Sequence, residues 1–200
     1  MTIARADRWR LAAGSAIVAT SLLGLRTQRT DRLDDRIERA VTARHGPLAD
    51  RIVGVGTDLG SIHALGGVVG VLTATGRRRA GRAVAAGGSV AWVVAQALKP
   101  AARRSRPYQA ARLDLLVSPP AGSSWPSGHV ALAAAAASAL WPRLGPAGRL
   151  TAASAVTAVG ASRIYVGVHH ASDVVAGVGV GLASTGIAQS LGGLRRPPRR

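Results

Sequence analysis

The chain alternates long apolar stretches with short segments rich in arginine. Six apolar stretches can be read along it, each bounded by charged residues, Pro or Gly. A helix that crosses the hydrocarbon core of a bilayer needs about 20 apolar residues, and only the second and sixth stretches reach that length comfortably. We therefore predict an all-α fold, a bundle of six transmembrane helices in which the shorter spans are flanked by Arg or Trp side chains that reach the interface. The predicted spans are residues 9–25, 52–76, 83–98, 128–142, 149–166 and 173–194, in a single domain over residues 1–200.

The segment between the first two predicted spans has a different pattern. Apolar residues recur at helical spacing from Leu33 to Val41, among many charged residues. This pattern predicts an amphipathic helix over residues 30–45 that lies at the membrane interface.

Small residues favour close contacts between the predicted helices. Glycines four residues apart lie on one face of a helix, where a neighbouring backbone can approach. Three such pairs fall in apolar stretches, namely Gly56 and Gly60, Gly66 and Gly70, and Gly177 and Gly181.

The placement of arginine predicts an orientation. Arginine tufts precede the first span, separate the second from the third, flank the turn after the fourth and close the chain at Arg195 to Arg200. With six spans all four tufts fall on one side, which the positive-inside rule makes cytoplasmic. Both termini are then cytoplasmic, in a bacterial plasma membrane. The loop from Arg26 to Arg51 is the exception, because it is rich in arginine and yet falls outside.

Composition narrows the classes of partner. The formal net charge of +17 would suggest nucleic acid, but Phe is absent and Tyr is scarce, so no platform exists on which bases could stack. Membrane lipids are therefore the predicted partners and nucleic acid is not, while the oligomeric state is left open. The chain has no cysteine, which excludes disulfides and thiolate metal sites.

Residues suited to phosphate chemistry gather in three stretches, all in loops that the orientation places outside. The first holds Lys99, the only lysine of the chain, and after six residues Arg106. Each adjoins a proline, so we predict a loop here rather than an uninterrupted helix. The second stretch runs from Pro126 through Ser127 and Gly128 to His129. It is predicted to begin a helix, whose N-terminus is a natural phosphate site.

The third stretch supplies the remaining reactive groups. His169 and Asp173 are four residues apart, which on a helix places them on one face, so that the carboxylate can orient the imidazole. We predict that His169 is the nucleophile towards phosphorus, Asp173 its orienting group and His129 the acid and then the base. The predicted phosphate clamp consists of Lys99, Arg106, Ser127, the Gly128 N–H and Arg163.

The three motifs closely resemble those of the type 2 phosphatidic acid phosphatase family, the lipid phosphate phosphatases that share a core with vanadium haloperoxidases. All three are present with their internal spacing, from Lys99 to Asp173. The resemblance implies a phosphohistidine intermediate, no metal and no other cofactor, and an active site at the extracytoplasmic ends of the helices. One departure is Ala171, where many members carry Pro.

The expected function is hydrolysis of a lipid phosphomonoester or diphosphate. Phosphatidic acid, phosphatidylglycerophosphate and diacylglycerol pyrophosphate share this headgroup chemistry. One alternative is a phosphatase of polyprenyl (undecaprenyl or decaprenyl) phosphate or diphosphate, or of an envelope glycolipid. A second is a vanadate-dependent haloperoxidase, and a third is a non-catalytic lipid-binding membrane protein.

Several charged residues near the motifs have two interpretations. Asp58 lies in an apolar stretch, where it could partner a cation of the site or simply reach the interface. His170 is predicted to line the rim. Arg103, Arg104 and Arg112 are predicted to face solvent or anionic headgroups rather than substrate.

Overall fold

The computed structural model describes residues 5–111 and 115–194, and within these two ranges every regular element is helical. The all-α prediction is confirmed for this part of the chain. Arg112 and the arginine tuft from Arg195 to Arg200 lie outside it. The helices are α1 (Arg5–Gly24), α2 (Gln28–Thr42), α3 (Pro47–Gly56), α4 (Ile62–Ala74), α5 (Arg78–Ala102), α6 (Pro107–Ala111), α7 (Gly128–Leu140), α8 (Pro146–Tyr165) and α9 (Ala171–Leu194), with 3-10 turns at Thr57–Gly60 and Trp141–Arg143.

Local sequence accounts for several helix starts. Pro47 and Pro146 occupy the first positions of α3 and α8, where the missing N–H costs nothing. Ser61 caps α4, since its side chain accepts a hydrogen bond from the Ala64 N–H at 3.2 Å. These signals fix where the chain turns between helices.

The second predicted span, 52–76, is divided in the structure. The segments Pro47–Gly60 and Ile62–Ala74 meet at an angle of 65°. By length and hydropathy, one helix of the described residues, Ala171–Gly192, could cross a membrane, and the bent pair is a second candidate if it is taken as one span. These are the same two stretches that the sequence singles out as long enough. The six-span count and the orientation stay predictions.

Helix α9 lies at the centre of the packing, in contact with α1, α5 and α7. Two of its glycines make the approach to α7 possible. A Cβ atom on Gly177 would lie 2.7 Å from the Ser127 carbonyl oxygen, and one on Gly181 would lie 2.7 Å from that of Ala131. Because neither residue carries a Cβ, the backbones of α7 and α9 come into contact, as the glycine spacing predicted for this pair.

Helix α2 packs across the connection between α8 and α9. The predicted amphipathic segment is helical over Gln28–Thr42, and its place at the membrane interface stays a prediction. Leu33 is 56% exposed, whereas Asp34 is buried and Val41 packs against a cluster that contains Val166 and Val168. A buried carboxylate on this helix needs a partner within the protein, and its partners lie at the active site.

Candidate active site

Lys99 lies in the last turn of α5, and the prediction of a loop around it is wrong. The helix continues through Pro100 and ends at Ala102, before the left-handed residue Arg103. Pro100 lacks the N–H that would bond the carbonyl of Gln96, and the helix ends two residues later. The Lys99 Nζ atom donates to the Ser123 carbonyl oxygen at 2.9 Å. This contact directs the ammonium towards the segment that precedes α7.

Arg106 lies in the loop after α5 and is 2% exposed. Its guanidinium donates four hydrogen bonds to carbonyl oxygens of two segments. Nη1 bonds Val168 at 2.8 Å, Nε bonds Gly122 at 3.2 Å, and Nη2 bonds Ala121 and Ser123 at 3.2 Å each. A guanidinium has five N–H donors, so one remains for a substrate oxygen. Arg106 therefore ties the loop before α7 to the loop before α9, in addition to its predicted place in the phosphate clamp.

The second motif begins a helix as predicted. Ser127 is the N-cap residue of α7 and Gly128 is its first helical residue. The Ser127 hydroxyl is fully buried and makes no hydrogen bond within the described residues, so it can donate to a ligand oxygen. The first N–H groups of a helix also have no partner within the helix and can bind an anion. His129 follows in the first turn and is partly exposed.

The 3-10 turn between α3 and α4 reaches the site through two residues, one of which no sequence pattern indicated. Thr57 is fully buried, and its Oγ1 accepts a hydrogen bond from Arg163 Nη1 at 2.8 Å. The next residue, Asp58, places Oδ1 3.6 Å from Nε2 of His129. The Asp58 side chain is 78% exposed and faces an imidazole of the site rather than a Lys or Arg side chain. The turn between α3 and α4 thus binds Arg163 of the predicted clamp through Thr57, and it faces the predicted acid His129 through Asp58.

His169 and Asp173 face each other, although not for the reason predicted. Helix α9 begins at Ala171, so His169 lies in the preceding loop rather than on the same helix face. Its Nδ1 is 3.6 Å from Oδ2 of Asp173, slightly beyond hydrogen-bond length. Both side chains are buried. Burial lowers the pKa of His169 to about 4 against the opposing effect of the Asp173 carboxylate, so the imidazole is neutral at pH 7.

The Asp173 carboxylate has further partners that the sequence analysis missed. Its Oδ1 accepts a hydrogen bond from Arg104 Nη1 at 2.8 Å, and its Oδ2 accepts one from the His170 backbone N–H at 2.9 Å. The prediction that Arg104 faces solvent or headgroups is wrong, because its side chain is only 14% exposed. The His170 side chain faces Glu38, and its Nδ1 lies 3.6 Å from Oε2 of that residue. It takes no part in the clamp.

Hydrogen bonds join all three motifs into one site. Ser127 N–H donates to the Asp173 carbonyl at 3.0 Å, and Lys99 and Arg106 share the Ser123 carbonyl. Arg106 also holds Val168, directly before His169. The described residues contain no cluster of three or more His, Asp or Glu side chains that could hold a metal ion. The site combines fixed cations, helix N–H donors and two imidazoles, which is a set suited to phosphoryl transfer.

Comparison with protein families and known proteins agrees with this chemistry. The model of the family described as PAP2 superfamily matches residues 80–195, which contain all three motifs. A curated relative from Mycobacterium tuberculosis, decaprenylphosphoryl-5-phosphoribose phosphatase, is 34% identical over 137 residues, covering 66% of this chain and 73% of the relative.

Two solved structures are similar in fold. One is a transmembrane PAP2-type phosphatidylglycerolphosphate phosphatase from Bacillus subtilis, with a TM-score of 0.78 and 21% identity over 96% of this chain and all of the other. The second is LpxE from Aquifex aeolicus, with a TM-score of 0.70 and 26% identity over 78% of this chain and 94% of the other.

Proposed function

This chain belongs to the PAP2 superfamily, and we propose from that membership and from its site that it hydrolyses a polyprenyl lipid phosphate through a phosphohistidine. That it is a phosphoric ester hydrolase of the lipid phosphatase type follows from its relatives. The substrate and the mechanism are our proposal. The observation that carries it is the buried, neutral His169 beside Asp173, near the guanidinium groups of Arg106 and Arg163.

In the proposed mechanism His169 attacks phosphorus with Nε2, because its Nδ1 faces the Asp173 carboxylate. A bond from Nε2 to phosphorus forms as the bond from phosphorus to the lipid oxygen breaks. His129 donates a proton to that departing oxygen. The neutral His129 then takes a proton from water, whose oxygen attacks the phosphohistidine and releases inorganic phosphate. Asp173 stabilises the positive charge that His169 carries while its Nε2 is bonded to phosphorus.

The clamp stabilises negative charge on the equatorial oxygens of the transferred phosphoryl group. We assign this role to Lys99, Arg163, the Ser127 hydroxyl and the Gly128 N–H, with one N–H of Arg106. Lys99 and Arg163 keep N–H donors beyond their single protein contacts, to the Ser123 carbonyl and to Thr57. Donors already fixed by protein contacts need no reorganisation when charge develops.

The proposed substrate class is a polyprenyl lipid that ends in a phosphomonoester, such as a polyprenylphosphoryl sugar phosphate. The support is the mycobacterial relative, whose name specifies such a lipid and with which the chain shares 34% identity. The likeness to the phosphatidylglycerolphosphate phosphatase, at 21% identity, concerns the fold. Because the known relatives are phosphatases, the haloperoxidase and the non-catalytic alternatives are not carried forward.

A lipid panel tests this proposal. Purified protein in detergent with EDTA is given a polyprenylphosphoryl-5-phosphoribose, a polyprenyl monophosphate, a polyprenyl diphosphate, phosphatidylglycerophosphate and phosphatidic acid, and released inorganic phosphate is measured. We expect the highest kcat/KM for the phosphoribose lipid and an acid-labile phosphoenzyme that His169→Ala abolishes. Equal turnover of all lipids would remove the substrate assignment, and labelling that survives in His169→Ala would place the nucleophile elsewhere.

A further inference from the structure

Asp34 is a buried carboxylate on a helix whose other residues are exposed or half-buried. It lies on α2, is 2% exposed, and uses both oxygens. Oδ2 accepts hydrogen bonds from Arg104 Nη2 at 2.7 Å and from the Ser172 hydroxyl at 2.6 Å, and Oδ1 accepts from the Ser172 backbone N–H at 2.8 Å. A buried charge persists only when it is paired and fully hydrogen-bonded, as Asp34 is. These contacts fasten α2 to the residue that precedes the proposed orienting carboxylate.

Arg104 bridges two carboxylates with the two arms of its guanidinium. Nη2 binds Asp34, while Nη1 donates to Oδ1 of Asp173 at 2.8 Å and to the Ser172 hydroxyl at 2.7 Å. Both N–H groups of Nη1 are therefore used within the protein. A planar guanidinium fixes the angle between its two arms, which a lysine ammonium cannot do. Three of the five N–H donors of Arg104 are thus committed to Asp34, Asp173 and Ser172.

The same bridge sets the rotation of the Asp173 carboxylate. Arg104 holds Oδ1, and this keeps Oδ2 turned towards the His170 N–H and towards Nδ1 of His169. The contact between Oδ2 and His169 is 3.6 Å and is not itself a full hydrogen bond. The carboxylate is thus oriented mainly by groups other than the nucleophile that it serves.

We propose that Arg104 and Asp34 are positioning residues for the reaction. They hold Asp173, and through it His169, so that α2 forms part of the catalytic apparatus. This inference rests on the proposed function, because it assigns Asp173 the role of orienting a nucleophilic His169. Outer-shell partners of this kind typically contribute 10-fold to 100-fold to activity.

The test compares Arg104→Gln, Asp34→Asn and the double variant with the wild type, on the lipid that the wild type turns over fastest. Arg103→Gln and Asp35→Asn are matched controls, because both wild-type side chains are exposed neighbours of the same type. We expect kcat of each single variant to fall about 10-fold to 100-fold. The KM and the inhibition constant of inorganic phosphate should stay within about twofold, because the inference assigns neither residue a contact with phosphate. The double variant should be little worse than Arg104→Gln, since residues that act as one unit are not additive.

A variant that folds poorly would lower the measured rate by lowering the amount of active protein. The rate is therefore divided by the amount of phosphoenzyme that forms in the first turnover. A second variant, Arg104→Lys, keeps the charge but cannot bridge both carboxylates, and its kcat should fall between those of the wild type and Arg104→Gln. A parallel rise of KM and of the phosphate inhibition constant would make Arg104 a phosphate ligand and overturn the inference. Unchanged turnover per phosphoenzyme would do the same, by reducing the network to a structural role. If the wild type released no phosphate from any lipid, the proposed function itself would fail and this inference with it.

Discussion

The backbone N–H of Ser127 donates a 3.0 Å hydrogen bond to the carbonyl oxygen of Asp173. The start of α7, which carries the proposed phosphate-binding N–H groups, is thereby fixed against the start of α9, which carries the orienting carboxylate. One helical turn after Asp173, Gly177 of α9 lies against the Ser127 carbonyl. The distance between the two helix starts therefore depends on the absence of a side chain at position 177.

Gly177→Ala should separate these helix starts. The new Cβ would lie 2.7 Å from the Ser127 carbonyl oxygen and 2.9 Å from Val130 Cβ, so backbone must move. Overpacking of this kind costs about 1–3 kcal/mol. We expect a lower Tm in detergent together with a fall in kcat/KM. The control is Gly192→Ala on the same helix, where a Cβ meets nothing within 4 Å and helix propensity alone predicts a slight gain. Equal effects of both variants would contradict the packing argument.

Thr57→Val should weaken the clamp while nearly preserving the side-chain volume at position 57. Thr57 Oγ1 accepts from Arg163 Nη1 at 2.8 Å, and valine removes this acceptor. A hydrogen bond to a charged group contributes about 1.5–3 kcal/mol, so kcat/KM should fall roughly 10-fold to 100-fold. Thr151→Val is the matched control, because the exposed Thr151 hydroxyl bonds only its own helix. A Thr57→Val enzyme with wild-type kcat/KM would show that Arg163 is held by other contacts.

The start of α7 could be predicted from the sequence because its signals are local. Ser127 and Gly128 begin a helix as expected, since Pro126 and the polar residues after it are helix-start signals. The loop predicted around Lys99 was wrong, because α5 continues through Pro100 and Lys99 is held by the distant Ser123 carbonyl, a contact that local sequence does not indicate.

Long-range partners could not be predicted in the same way. A threonine within an apolar stretch does not indicate a functional position. The break after α3 brings Thr57 to Arg163, which is 106 residues away in the chain. Arg104 lies in a run of arginines, which is typical of a solvent-exposed segment. Only the fold places its side chain between two carboxylates. Asp58 was recognisable because a charge in an apolar stretch is costly, but its contact with His129 required the structure.

The imidazole of His169 should remain neutral well below pH 6. Its folded-state pKa of about 4 lies under the ordinary histidine value of about 6.5, so the proton that would block nucleophilic attack binds only as pH falls towards 4. The chain has five histidines, which makes NMR of protein with labelled histidine practicable, with His169→Gln for assignment. The His169 signal should not shift between pH 7.5 and pH 5.5, whereas in denatured protein it should titrate near 6.5. A midpoint between 6 and 7 in the folded protein would contradict the burial argument.

The predicted orientation can be tested with single cysteines, since the chain has none. Ser118 lies in the exposed segment before α7, on the side of the active site, and Thr75 is exposed at the turn before the arginines of α5. In intact cells a membrane-impermeant maleimide should label Ser118→Cys and not Thr75→Cys, with both labelled after lysis. Labelling of Thr75→Cys alone would invert the topology, and labelling of both in intact cells would contradict the six-span arrangement.

Asp173→Asn should preserve the fold and remove most of the activity. Asparagine has the same shape, yet it cannot stabilise the positive charge that His169 gains when phosphorus is bound, and it breaks the ion pair with Arg104. Replacing an orienting carboxylate by its amide in other enzymes costs about 10³ to 10⁴ in rate, and we expect a fall in kcat of that order. Phosphoenzyme should still form, slowly, because Nε2 of His169 is intact. Adding Arg104→Gln to Asp173→Asn should then cost little more, since the partner that Arg104 holds has lost its charge. A full further loss from Arg104→Gln in this background would mean that Arg104 acts on the reaction by a route other than Asp173.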